Sequence, residues 1–185
     1  SNKKPVIAIL PGSRKQEIKK ILNTVIKIVE YFPNHQFIVA GAPNIELSYY
    51  NSSLKNKNIK VIENKTYELL SISTAAIVTS GTATLETALF KIPQVVCYKS
   101  SYFSYFIAKL IVKIKYISLV NLIMDQQIVK ELIQQDCNKV NITNELKKIL
   151  DLNHRKSLLI KYDELTSVLG NYGTSKRVAL DIIKK

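Results

Sequence analysis

The sequence predicts an α/β fold, a Rossmann-like doubly wound parallel sheet with a helical C-terminal tail. Three observations carry this. Short apolar runs such as Val6-Ile-Ala-Ile-Leu10 are continuous rather than alternating, as strands buried on both faces are. Between them lie stretches whose apolar residues recur three and four apart, the period of a helix with one buried face. The two kinds of element take turns along the chain, and right-handed crossovers then make the strands parallel, with helices on both sides.

The first strand, 6–10, stops at Pro11-Gly12. Ile18, Ile21, Leu22, Val25, Ile28 and Val29 then mark a helix face, opening at Ser13 with Gln16 at the capping-box spacing and ending at Pro33-Asn34. Strand 37–40 exits at Gly41-Ala42-Pro43, and 45–55 reads as helix. Strand 59–62, a short helix over 67–72 and strand 75–79 follow. The turn Ser80-Gly81-Thr82 opens a helix over 83–90, which Pro93 separates from strand 94–98. From Ile128 onward the spacing of Val129, Leu132, Ile133, Leu146, Ile149, Leu158, Tyr162 and Leu165 predicts mostly helix.

The chain of 185 residues reads as one domain, 1–185, with a last helix, 174–185, after the Gly170–Gly173 loop. At this length folding buries roughly 70% of the unfolded surface, so no metal or disulfide staple is needed. A hydrophobic fraction of 46% with 22% charged residues excludes disorder, collagen and coiled coil. No apolar run approaches the ~20 residues of a membrane helix, and the charged start passes directly into a strand, unlike a secretory signal. Cys97 and Cys137 make no disulfide framework, which points to a reducing cytoplasm.

The net charge of +13 directs attention to anionic partners: phosphorylated ligands, nucleic acid or a membrane surface. Much of the excess is lysine beside abundant Ile and Asn, and reads equally as biased composition on a solvated surface. No nucleic-acid motif is present. His35 and His154 are isolated surface residues without metal-ligand spacing, and no metal site is expected.

In an open parallel sheet ligands bind beyond the carboxyl ends of the strands. Two turns there carry phosphate chemistry. In the first, Gly12 permits close backbone approach, Ser13 offers a hydroxyl, and Arg14 a guanidinium that forks onto phosphate. In the second, Ser80, Gly81 and Thr82 offer amides and hydroxyls at a helix start. Neither is a GxGxxG or P-loop signature, and either alone is more often a simple turn. Together, after the first and fourth strands, they flank the switch point of a 3-2-1-4-5-6 sheet and suit a diphosphate. Glu86, one helical turn past the second corner, can accept hydrogen bonds from two ribose hydroxyls or serve only as a first-turn acid favoured by the helix dipole.

Five ordered blocks add a resemblance: Leu10-Pro-Gly-Ser-Arg-Lys-Gln-Glu-Ile18, Ser80-Gly-Thr-Ala-Thr-Leu-Glu-Thr-Ala88, Pro93-Gln-Val-Val-Cys-Tyr-Lys99, Tyr116-Ile-Ser-Leu-Val-Asn-Leu-Ile123 and Lys130-Glu-Leu-Ile-Gln134. The chain resembles the C-terminal half of lipid-A-disaccharide synthases, inverting enzymes of the glycosyltransferase-B fold. The Ser-Gly-Thr…Glu block alone is shared with other UDP-sugar transferases and UDP-N-acetylglucosamine epimerases. The resemblance implies UDP-2,3-diacylglucosamine as donor and 2,3-diacylglucosamine 1-phosphate as acceptor, without metal or other cofactor. It implies that Gly12, Ser13, Arg14, Ser80, Gly81 and Thr82 meet the diphosphate, that Arg14 stabilises departing UDP, and that Glu86 takes the ribose. Asn121 is expected to face the donor, with Glu131 and Gln134 as weaker contacts and the uracil near 64–67. The catalytic base and most of the acceptor site belong to the N-terminal half, so the chain alone is expected to bind without turnover. Val120 stands in place of the family's proline, and Met124-Asp125-Gln126 replaces a small-Gly-basic sequence. The aromatic and basic stretch 102–117 reads as an interdomain helix, a homodimer contact or a surface for an anionic bilayer.

Overall fold

The computed structural model describes residues 4–54, 59–99 and 115–170. Within them six strands form one parallel sheet in the order β3-β2-β1-β4-β5-β6. They are β1 (Val6–Leu10), β2 (Gln36–Gly41), β3 (Lys60–Glu63), β4 (Ser73–Thr79), β5 (Gln94–Tyr98) and β6 (Lys130–Ile133). The helices are α1 (Lys15–Val25), α2 (Leu47–Leu54), α3 (Thr66–Ser71), α4 (Thr82–Leu89), α5 (Leu119–Met124), α6 (Lys139–Leu150) and α7 (Leu152–Leu169). The chain runs outward from β1 to β3, returns through α3 to β4, and then runs outward the other way. The strand order thus reverses between β1 and β4, as the two corners required.

Every residue of β1 is buried, because the strand is central and covered on both faces. Side chains alternate between two cores. Ile7, Ile9, Phe37 and Val39 belong with Ile18, Ile21, Leu22 and Val25 of α1, and with Ile142 and Leu146 of α6. Ala8, Leu10, Ile38, Ala40, Ala76 and Val78 belong with Leu69 and Leu70 of α3. Each fully buried Leu or Ile contributes about 1.5–3 kcal/mol, so the sheet centre is the rigid support for whatever its carboxyl ends carry. Cys97 and Cys137 are free and buried.

Three expectations are corrected. The capping box at Ser13 does not form: Arg14 is the N-cap of α1, in extended conformation and without a side-chain cap bond. The first helix stops at Val25 and continues to Pro33 only through a short 3-10 turn, Val29–Tyr31. The tail is not helical from residue 128, because Lys130–Ile133 forms the edge strand β6 against β5. The expected helix 174–185 and residues 102–114 lie outside the described residues.

Candidate functional site

The corners after β1 and β4 open onto one cleft of ≈ 370 Å³, lined by Gly12, Ser13, Arg14, Ser80, Gly81, Thr82 and Glu86. Gly41, Ala42 and Pro43 of the turn after β2 complete one wall, with Thr66 at the start of α3. Of the stretch 64–67 expected near the uracil, Thr66 is the residue that lines the cleft.

Local backbone chemistry explains both corners. Gly12 has φ 94°, and a Cβ there would come within 3.1 Å of Glu17 Oε2 and 3.3 Å of Thr79 Cγ2. Only glycine fits that conformation and that space. Gly81 caps α4 with φ 157° and ψ −165°, a region reached almost only by glycine, although no atom of the described residues lies within 4 Å of its missing Cβ. The amides that open α1 and α4 lack the i−4 acceptors of a helix interior, although Thr84 N–H donates to Gly81 O at 3.2 Å, and the helix dipoles favour an anion at these ends.

The cleft is not a basic patch. Among the described residues one guanidinium, Arg14, and two carboxylates, Glu17 and Glu86, line it, with no lysine. Arg14 Nη1 donates to Glu17 Oε1 at 3.0 Å, with the Arg14 side chain 80% exposed and that of Glu17 only 14%. The hydrogen bond and charge of Glu17 raise the Arg14 pKa further, so the guanidinium stays charged. The cationic side chain lining the cleft is thus the exposed Arg14 alone among the described residues, and most of the +13 charge lies elsewhere.

Two lining residues were not singled out in the sequence. Glu17 was legible as a first-turn acid three residues after Arg14. Thr79, the last residue of β4, is 4% exposed, and its Oγ1 is buried without a hydrogen-bond partner among the described residues. A buried hydroxyl left unpaired at the floor of a cleft is a donor or acceptor available to a ligand.

The structure redistributes the other candidates. Ser80 lines the cleft, but its N–H donates to Cys97 O at 3.0 Å and its hydroxyl to Ile117 O at 2.7 Å. Both protons are engaged by the scaffold, while Ser80 was expected to offer an amide or hydroxyl to a phosphate. Asn121 is fully buried and does not face the cleft. Its Nδ2 donates to Val129 O and Glu131 Oε1, each at 2.8 Å, and its Oδ1 accepts from Ile128 N and Val129 N. Glu131 lies on β6 and also accepts from Ile117 N, Ser118 N and Ser118 Oγ. Gln134, with φ 50°, follows β6 and donates its N–H to Tyr98 O. None of these three lines the cleft. Among the described residues no cluster of three or more His, Cys, Asp or Glu is arranged for a metal.

The sequence model of the lipid-A-disaccharide synthetase family matches residues 1–177. The chain belongs to this family. A lipid-A-disaccharide synthase of Anaeromyxobacter dehalogenans is 34% identical over 185 residues, covering 96% of this chain and 48% of that protein. The chain therefore spans about half the length of the curated relatives it matches. Among solved structures, the glycotransferase of kitacinnamycin has a TM-score of 0.62 at 13% identity, covering 100% of this chain and 43% of that one. The UDP-GlcNAc 2-epimerase from Neisseria meningitidis bound to UDP-GlcNAc has a TM-score of 0.59 at 16% identity, covering 100% of this chain and 45% of that one. These likenesses show the fold alone, Rossmann-like and of the glycosyltransferase-B kind, and the epimerase shares it as a fold relative.

Proposed function

We propose that the chain is the donor-binding half of an enzyme that moves 2,3-diacylglucosamine from UDP to 2,3-diacylglucosamine 1-phosphate, forming the β-1,6-linked disaccharide and releasing UDP. The observation that carries the reading is the convergence of the Gly12 and Gly81 corners on one cleft at the β1–β4 switch point, in a chain of this family.

In this reading the diphosphate sits between the two corners. Amides of Ser13, Arg14, Gly81 and Thr82 receive its oxygens, and Thr79 Oγ1 reaches it from the floor. Arg14 swings from Glu17 to the phosphate and offsets charge that grows on the leaving UDP, a task that needs no metal or cofactor. Glu86 takes the ribose hydroxyls, and the uracil extends toward Thr66. The acceptor site and the base that activates its 6-hydroxyl belong to an N-terminal half, and this chain alone binds UDP without turnover. The enzyme acts in the cytoplasm at an anionic membrane surface, toward which the +13 charge is attracted. No helix among the described residues is long and apolar enough to cross a membrane.

Calorimetry with UDP tests this. The reading predicts saturable binding that Arg14→Ala weakens and that survives raised salt. Folded protein with no heat at millimolar UDP, or with steeply salt-dependent binding of any polyanion and no preference for UDP, contradicts it.

A further inference from the structure

We propose that Glu131 and Asn121 are positioning residues that set the Ser80–Gly81 corner through a single peptide group, Ile117–Ser118. The inference rests on the reading of the cleft as a UDP site, but its geometry stands apart from it.

Glu131 gathers four donors from one turn and its neighbour. Oε1 accepts from Ser118 N at 2.9 Å, Ser118 Oγ at 2.8 Å and Asn121 Nδ2 at 2.8 Å, and Oε2 accepts from Ile117 N at 3.0 Å. Asn121 ties the same turn to the chain entering β6 by three more bonds, to Ile128 N, Val129 N and Val129 O. Ser118 caps α5, its Oγ accepting from Asn121 N at 3.3 Å.

The peptide joining Ile117 and Ser118 is held at both ends. Its N–H donates to the Glu131 carboxylate, and its C=O accepts the Ser80 hydroxyl at 2.7 Å. The result is an unbroken chain from hydroxyl to carbonyl, across the amide, to the carboxylate. Each bond in such a chain polarises the next, and a charged terminus strengthens all of them. Ser80 is the residue directly before Gly81, and its N–H is fixed to Cys97 O. Its two protons therefore anchor it to β5 and to the Ile117–Ser118 turn, leaving the hydroxyl lone pairs and the Gly81 and Thr82 amides for the cleft. Asn121 and Glu131 thereby act on a ligand they do not touch.

The test uses Glu131→Gln, Ser118→Ala, Ser80→Ala and the Glu131→Gln/Ser80→Ala double variant, each measured for folding, for UDP affinity, and for the Gly81 and Thr82 amide resonances without ligand. Glu131→Gln places an amide NH₂ among four donors; Ser118→Ala removes one donor to Glu131 and the cap of α5, leaves the Ile117–Ser118 peptide bonds intact, and serves as the control that should move the Gly81 and Thr82 resonances less. Glu131→Gln and Ser80→Ala are each expected to weaken UDP about three- to tenfold with the fold intact, and the double variant to lose no more than the worse single one, as members of one chain do. Ser80→Thr, which keeps the hydroxyl, should restore affinity. Folded Glu131→Gln with unchanged Gly81 and Thr82 resonances overturns the proposal, as do folded Ser80→Ala with unchanged UDP affinity and losses that multiply in the double variant. If the wild-type chain does not bind UDP, the functional reading fails, and the ligand-free resonances still decide this inference.

Discussion

The carboxylate of Glu17 sits under the Gly12 corner, with Oε2 where a Cβ on Gly12 would clash and Oε1 bonded to Arg14 Nη1 at 3.0 Å. Within the cleft, then, an internal anion engages the guanidinium that the proposed function assigns to a diphosphate. Arg14→Ala should weaken UDP binding on the order of tenfold to a hundredfold, the loss of one charge-assisted contact. Glu17→Gln should strengthen inorganic pyrophosphate binding, because it removes a competing negative charge while leaving an acceptor for Arg14. Calorimetric titrations of the two variants, with unfolding midpoints as controls, check both.

Gly12→Ala should lower stability by about 1–3 kcal/mol, the combined effect of an unfavourable φ and a Cβ pressed on Glu17 and Thr79. Thermal unfolding measures the loss. Gly81→Ala has free space around the new Cβ, so any cost there comes from the backbone conformation alone.

Thr79→Val should leave the free protein as stable or more so, because the hydroxyl it deletes has no partner. The same variant should bind UDP more weakly if the hydroxyl meets the diphosphate. Denaturant unfolding and UDP titration on one preparation separate the two effects.

Glu86→Ala should weaken UDP about tenfold while leaving pyrophosphate affinity unchanged, since the carboxylate is assigned to the ribose. Parallel titrations with UDP and pyrophosphate check this; an equal loss for both would show that Glu86 shapes the cleft as a whole and does not take the ribose.

Burial pushes the His35 pKa below its ordinary 6.5, and its Nδ1 is buried without a partner against the edge of Phe32. The unfolded chain therefore takes up this proton at higher pH than the folded one. The resulting contribution to stability is complete above about pH 6.5 and declines as pH falls through the depressed folded value. Unfolding midpoints of the wild type and His35→Gln across pH 4.5–8 should diverge only in the acid range, a window set around this about 6.5 reference.

The central strands were legible because residues such as Val6–Leu10 are apolar at every position, and only a strand covered on both faces asks for that. β6 was not: it is a four-residue edge strand with lysine and glutamate at its start, and Val129, Leu132 and Ile133 imitate helical spacing. Gly12 and Gly81 could be recognised as corners, since their backbone conformations demand glycine. The positions of Asn121 and Glu131 could not. Polar residues near a cleft and polar residues that brace it look alike in sequence, and only hydrogen bonds between distant segments distinguish them. Ser80 shows the same limit, because its protons are taken by Cys97 and Ile117, residues 17 and 37 positions away.

The account depends on two corners gripping one diphosphate. The most direct measurement is a titration of the ¹⁵N-labelled chain with UDP, followed at the amides of Ser13, Arg14, Gly81 and Thr82. The account predicts that all four shift together along one binding curve. Shifts confined to one corner, or a response to UDP elsewhere with these four amides unmoved, would contradict it.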